Sequence, residues 1–209
     1  MAALVVSAAA SYYPVTTAEA KAHMRVDTSA DDTYIAALIA AATGMAELYT
    51  RRRLVRSTWT LYLDRFPAAP KNTIELPYPP LASVSSVVYL DGSGCSNTLT
   101  ANTDYQVDTY SFVGRLAVAP ASYWPETQTD KRNAVTITYV AGYTASGDTD
   151  GSAVPAPIKQ GILITAAHWY EHREPVITGT QIAPVPMSAE YLWDMYKVLG
   201  EFQYGIDDG

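Results

Sequence analysis

The chain is poor in cysteine, in phenylalanine and in charge. One Cys, Cys95, stands among 209 residues. That excludes an internal disulfide framework and fits a reducing compartment. Charged residues are only 17%, and Asp plus Glu outnumber Lys plus Arg by 21 to 14, a net charge of −7. A surface of that sign cannot hold nucleic acid tightly along its whole length, which needs clustered Lys and Arg. It does not prevent DNA from sliding past. No long uncharged apolar run reads as a membrane span. The opening MAALVVSAAASYYP has no Lys or Arg before a short apolar run, so it lacks the basic start of a signal peptide. It reads as a flexible or strand-like arm.

Tyrosine is plentiful: sixteen Tyr against three Phe. Tyr carries a large apolar body with a polar tip and suits contacts between surfaces, and it also simply favours strands. Apolar content of 48% is that of a folded globular chain with a real core.

Three regions follow from periodicity. Thr16 and Glu19 have capping-box spacing and open a short helix over about 17–25. Asp31 or Asp32 caps a longer one over about 32–52, with Ile35, Leu38, Ile39, Ala42, Met45, Ala46 and Tyr49 as its apolar stripe. Gly44 in its middle costs about 1 kcal/mol against Ala, which predicts a neighbouring backbone pressed against it. From Ser57 the period switches to two. Strands are predicted at Trp59–Leu63, 74–76, 84–90, 105–108, 114–118 and 134–140, separated by Pro- and Gly-rich turns. A polar, Gly-rich linker over 144–152 leads into the segment around which the chain is organised, VPAPIKQGILITAAHWYEHREP (154–175). Its apolar residues cover most of a helix circumference, so it must be enclosed by partners. Pro175 stops it. A loop with two prolines spans 176–187 and reads as a hairpin-like contact element. Ser188 caps a last helix with Leu192, Met195, Tyr196 and Leu199 on one face, and Gly200 ends it.

The predicted fold class is α+β: an α-helical bundle from the N- and C-terminal segments with an inserted small antiparallel β unit. The domain expectation is one domain over 1–209, with a helical core at 15–56 plus 154–199, a β-rich insertion at 57–143 and a flexible tail at 200–209.

Chemistry is hard to find. His168 and His172 share a helix face, but His-Trp-Tyr-Glu-His misplaces the Glu of a zinc-protease motif, and a third ligand is missing. There is no Gly-x-Ser-x-Gly elbow and no phosphate-cradling glycine loop. Asp31-Asp32 and Asp207-Asp208 sit at a cap and in a tail. The sequence therefore points to a structural or interaction protein with no catalytic residue, no metal and no cofactor. Arg51, Arg52, Arg53 and Arg56 stand out. Positive charge at a helix C-terminus complements the dipole; four Arg in six residues also make a basic patch for phosphates or an acidic partner.

Four stretches in this order carry a resemblance: VTTAEAKAHMRVDTSADDTYIAALIAAATGMAELYTRRRL, LPYPPLASVSSVVYLDGSG, Tyr123-Trp124-Pro125 followed by NAVTITYVAGY, and VPAPIKQGILITAAHWYEHRE leading into VPMSAEYLWDMYKVL. They span nearly all of 15–199. The chain resembles the head–tail connector, or adaptor, family of tailed bacteriophages and gene transfer particles. His172 departs from the pattern, where Asn is more usual.

The resemblance implies a virion protein at the head–tail junction, made in the host cytoplasm. It implies a homo-oligomeric ring, commonly of twelve, under the portal protein. The ring extends the DNA channel, double-stranded DNA passes through without sequence-specific binding, and the free face docks a stopper or tail-completion protein. No catalytic residue carries over, and no membrane is involved. Arg51, Arg52, Arg53, Arg56, Trp193, Tyr196, Phe202 and Tyr204 are the expected interface residues, with Trp193 and Tyr196 equally readable as core. The alternatives are another neck or tail component, such as a stopper or tail-completion protein, and a metal-binding enzyme.

Overall fold

A computed structural model describes residues 2–68, 72–143, 151–173, 187–200 and 202. The linker over 144–150, the loop to 186, Pro175 and most of the tail, Tyr204 included, lie outside them. The chain divides into two compact units: 11–55 with 143–199, and 1–10 with 56–142 and 200–209. The fold is α+β, as the periodicity predicts.

The first unit is helical. α1 (Thr17–Met24) opens with a complete capping box: the Glu19 N–H donates to Thr16 Oγ1, and the Thr16 N–H donates to the Glu19 carboxylate at 2.7 Å. Those hydrogen bonds hold the Glu19 pKa below the usual range, the Thr16 backbone contributing most. α2 (Asp32–Thr50), α3 (Ala156–Glu171) and α4 (Met187–Asp194) complete the unit. Ile35, Ile39, Ala42 and Ala46 of α2 are buried with Ile158, Ile162 and Ala166 of α3 and Ala189 and Trp193 of α4. Helices from both ends of the sequence thus share one apolar core, and α3 contacts each of the other three. No helix among the described residues is long and apolar enough to cross a membrane.

Two expectations for this unit fail. Among the described residues, a Cβ added at Gly44 meets nothing within 4 Å, so no backbone among them presses there. The close approach is on α3, where a Cβ at Gly161 would lie 2.3 Å from Trp193 Nε1. The last helix also stops at Asp194, short of the expected Gly200. Ala189 and Trp193 within it and Val198 beyond it are buried, while Met195 and Leu199, also beyond it, are exposed at 66% and 84%. The bulky indole sets the inward direction, because it fills the space that Gly161 leaves open.

The second unit holds two antiparallel sheets. The larger runs in the order β1 (Ala2–Ala8), β2 (Ser57–Leu63), β8 (Val135–Ala141), β4 (Leu81–Leu90), β5 (Ser96–Leu99). The smaller is β3 (Thr73–Glu75), β7 (Arg115–Val118), β6 (Tyr105–Asp108). Period-two alternation sends Trp59, Leu61, Leu63, Val87, Val135, Ile137 and Tyr139 into one core with Ile74, Leu76, Tyr105 and Leu116. Phe66 stacks flat on Trp124 at 4.8 Å between centroids. The N-terminal arm is a full strand. β1 pairs with β2 from Ala2↔Leu63 to Val6↔Trp59, and Leu4 packs on the core. β5, which the sequence reading passes over, pairs with the far end of β4 from Val87↔Leu99 to Leu90↔Ser96.

Candidate interaction surface

The arginine cluster sits where α2 ends. Arg51 is the left-handed C-cap, with φ 55°. Arg52 is 6% exposed, and its Nε donates to the Tyr196 carbonyl. Burial pulls the Arg52 pKa down, and Tyr143 beside it pulls the other way. A guanidinium stays charged at any pH a protein tolerates, so Arg52 is a buried cation tying the α2 terminus to the segment after α4. The Val198 N–H, donating to the Thr50 carbonyl at 2.9 Å, strengthens the same junction. Arg53 pairs with Glu47, whose other oxygen accepts the Leu54 N–H at 2.9 Å. Glu47 thereby clamps the turn out of α2. Arg56 is exposed and belongs to the β-rich unit. The four arginines therefore do different work: Arg52 and Arg53 serve the fold, and Arg56 faces solvent.

The aromatic candidates also separate. Trp193 is fully buried, and its Nε1 donates to the Ile158 carbonyl at 3.3 Å. Tyr196 is half-buried against the helical core. The Phe202 ring lies 6.4 Å from that of Tyr78, within the β-rich unit. Tyr204 is outside the described residues.

Spacing alone misses two clusters. In the first, the Tyr49 hydroxyl donates to Asp194 at 2.6 Å, which pushes the Tyr49 pKa up to about 12. Lys197 sits 4.4 Å over the same ring. In the second, Asp31 stands at the N-cap of α2, as its sequence position predicts, but its side chain makes no capping hydrogen bond. Its carboxylate accepts instead from the Tyr170 hydroxyl at 2.7 Å and from Arg173 at 3.4 Å. The Arg173 guanidinium covers the Tyr34 ring at 4.6 Å. A carboxylate drawn to a cation and a phenol at the far end of α3 is no longer turned back to its own helix. Neither cluster has a signal in sequence spacing, since partners more than a hundred positions apart make each.

His168 and His172 stack at 4.7 Å between centroids, and the ring Nδ1 of His172 lies 3.1 Å from the His168 carbonyl. Among the described residues no group of three or more His, Cys, Asp or Glu side chains is gathered as metal ligands would be.

Among the described residues, the polar contacts serve helix junctions and turns. Residues 15–89, α1 through most of β4, match the sequence profile of the phage gp6-like head-tail connector protein family. No curated protein sequence matches the chain. Among solved structures, the fold is similar to a chain in the neck of an empty GTA particle computed with C6 symmetry. The TM-score there is 0.74 at 23% identity, over 96% of this chain and 100% of that one. A chain in the virion of a native gene transfer agent particle gives 0.74 at 22% identity, over 95% and 97%. A chain in the neck of a native GTA particle computed with C12 symmetry gives 0.66 at 21%, over 96% and 100%.

Proposed function

We propose that this chain is a structural subunit of a virion neck: a head–tail connector that assembles into a ring under the portal protein, continues the DNA channel and receives the next neck or tail component. One observation carries the reading. The connector-family segment at 15–89 lies in a chain whose fold is shared, nearly end to end, with neck chains of gene transfer agent particles.

The physical features support a mechanical role. One buried cation, Arg52, and the turn clamped by Glu47 stiffen the helical unit, and a net charge of −7 suits a wall past which DNA slides. In this reading the chain contributes contacts and no bond chemistry. Ring neighbours meet head to tail, so each subunit presents two different patches. Arg51, Arg56, Tyr196, Phe202 and Tyr204 are the proposed interface residues. Arg52, Arg53 and Trp193 support them from within the fold.

The test is mass measurement of the purified chain alone and mixed with the portal protein of the same particle. A complex of ring stoichiometry is the expected result. A chain that stays monomeric and leaves the portal unbound would overturn the reading. Replacing Phe202 and Tyr204 by Ala, or Arg51 and Arg56 by Glu, then weakens that complex without lowering the melting temperature of the free chain.

A further inference from the structure

Among the described residues the larger sheet has unpaired backbone at both borders. Strand β1 forms one border, and among the described residues its outer edge pairs with nothing. Natural edge strands are guarded by Lys, Pro, inward charge or short length, because an unpaired row of N–H and C=O groups recruits other strands. β1 has none of these four guards, and its one irregularity is a register shift between Val6 and Ala8, which leaves residues 2–6 as a regular edge. It is seven residues long, reads AALVVSA, and exposes Val5 and Val6 at 51% and 44%.

The opposite border is stepped. β5 covers β4 only from Val87 to Leu90. Residues 82–86 of β4 lie before that cover, and among the described residues they have a strand, β8, on one side only, with register shifts at Ala82 and Ser85 that bend this stretch. This ledge, ASVSS, is also uncharged, and Ser83 and Ser85 are exposed.

Strand polarity selects the occupant. Every pairing in the sheet is antiparallel. Along the order β1-β2-β8-β4-β5, β1 therefore runs opposite to β4 and the same way as β5. In a ring of about twelve, each copy is turned by only about 30° from the last, which preserves strand sense. The β1 of one copy then meets the β4 ledge of the next as an antiparallel partner. Antiparallel pairing is slightly more stable per residue than the parallel pairing that β5 would offer.

We propose that β1 of each copy adds as a strand to residues 82–86 of β4 in the neighbouring copy, so that the sheet continues from subunit to subunit around the ring. This rests on the ring reading above. It supplies the two different complementary patches that a head-to-tail contact requires, and main-chain hydrogen bonds give it strength without special side chains.

The experiment uses the full chain with Cys95 replaced by Ser, assembled on the portal protein. Cysteine pairs are placed across the contact, Ala3→Cys, Val5→Cys or Ser7→Cys with Ser83→Cys or Ser85→Cys, because facing strand positions bring Cβ atoms within disulfide range. Mild oxidation should give a ladder of covalent species extending past the dimer. A two-fold contact would stop at the dimer. In parallel, Val5→Lys and Ser85→Lys each put an edge-guarding charge at an exposed site. Both should abolish the ring while the free chain melts as before.

Rings that form normally in both Lys variants and yield no disulfide from any pair would overturn the strand addition and leave the ring reading standing. Disulfides formed inside one chain, or onto a different neck protein, would overturn the choice of occupant. Absence of a ring in every form would remove both readings.

Discussion

The helical unit and the β-rich unit achieve order by opposite means. In the helical unit one bulky side chain is keyed into one missing side chain: Trp193, fully buried, lies where a Cβ on Gly161 would stand. Ala20, Ala42, Ala46, Ala166 and Ala189 are buried in the same core, and such small side chains let helices approach closely. In the β-rich unit the core is larger-grained, and its hairpin turns are fixed by aspartates. Asp108 accepts from the N–H groups of Tyr110 and Ser111, the Ser111 hydroxyl and Arg115 Nε. Asp91 does the same for Ser93, Cys95 and Asn97. Helical order here is a matter of volume, and turn order is a matter of charge-assisted hydrogen bonds. The first should respond to side-chain size and the second to pH.

The largest effect belongs to the indole. Trp193→Ala removes a fully buried side chain and leaves its cavity beside Gly161, a loss of about 3–5 kcal/mol. The helical unit's far-ultraviolet signal should melt at a markedly lower temperature. Gly161→Ala attacks the same pair from the other side. The added methyl meets a rigid ring at 2.3 Å, so the helices must part, and overpacking of this kind costs about 1–3 kcal/mol. The double variant Gly161→Ala with Trp193→Ala should lose less than the sum of the two single changes. Simple additivity would show that the two residues are not keyed together.

Most of the architecture was legible from local pattern. The switch from period 3.6 to period two at Ser57 marks where helix gives way to strand, and the Thr16–Glu19 capping box was written in four residues. Partner choice was not legible. A helical glycine signals close approach, but Gly44 and Gly161 look alike in sequence, and only the tertiary position of Trp193 separates them. Asp31 reads as a cap because the cap rule is local; Tyr170 and Arg173, which claim its carboxylate, come from the other end of the chain. The last helix has apolar residues on two faces. Choosing between Trp193 and Met195 as the inward one required the shape of α3 and the end of the helix at Asp194, one residue before Met195. Four adjacent arginines suggested one patch, yet Arg52 is buried and Arg56 exposed, because a chain leaving a helix rotates successive side chains away from one another.

Gly44 sharpens the contrast by its sign. It sits in α2 on an exposed position, and an added Cβ meets nothing within 4 Å. Gly44→Ala should therefore stabilise the chain by up to about 1 kcal/mol, since Ala restricts the unfolded chain and favours helix. Opposite signs for the same substitution at positions 44 and 161 would establish that packing against Trp193, and not helix propensity, governs Gly161. A loss at position 44 would mean that another surface covers α2 there.

The smallest effect, and the one specific to the β-rich unit, is acid sensitivity. Hydrogen bonds from Ser111, first its hydroxyl and then its N–H, with Arg115 and Tyr110 adding to them, hold the Asp108 pKa down at about 2; Ser93, Cys95 and Asn97 hold Asp91 at about 2 as well. Both carboxylates are depressed relative to the unfolded chain, near 4. The folded state then binds fewer protons than the unfolded state between those values, so the stability they contribute is fully present above about pH 4 and is lost as pH falls toward about 2. Asp108→Asn keeps the shape of the turn but cannot titrate and accepts through one oxygen only. It should lower the melting temperature slightly at neutral pH and flatten its fall between about pH 4 and 2. Both carboxylates are open to solvent, so salt should shrink the Arg115 contribution and leave the short backbone hydrogen bonds largely intact. If Asp108→Asn retained the full acid dependence, the pH response would have to come from Asp91 or from the helical unit, and the division between size-controlled helices and charge-controlled turns would fail at its weaker half.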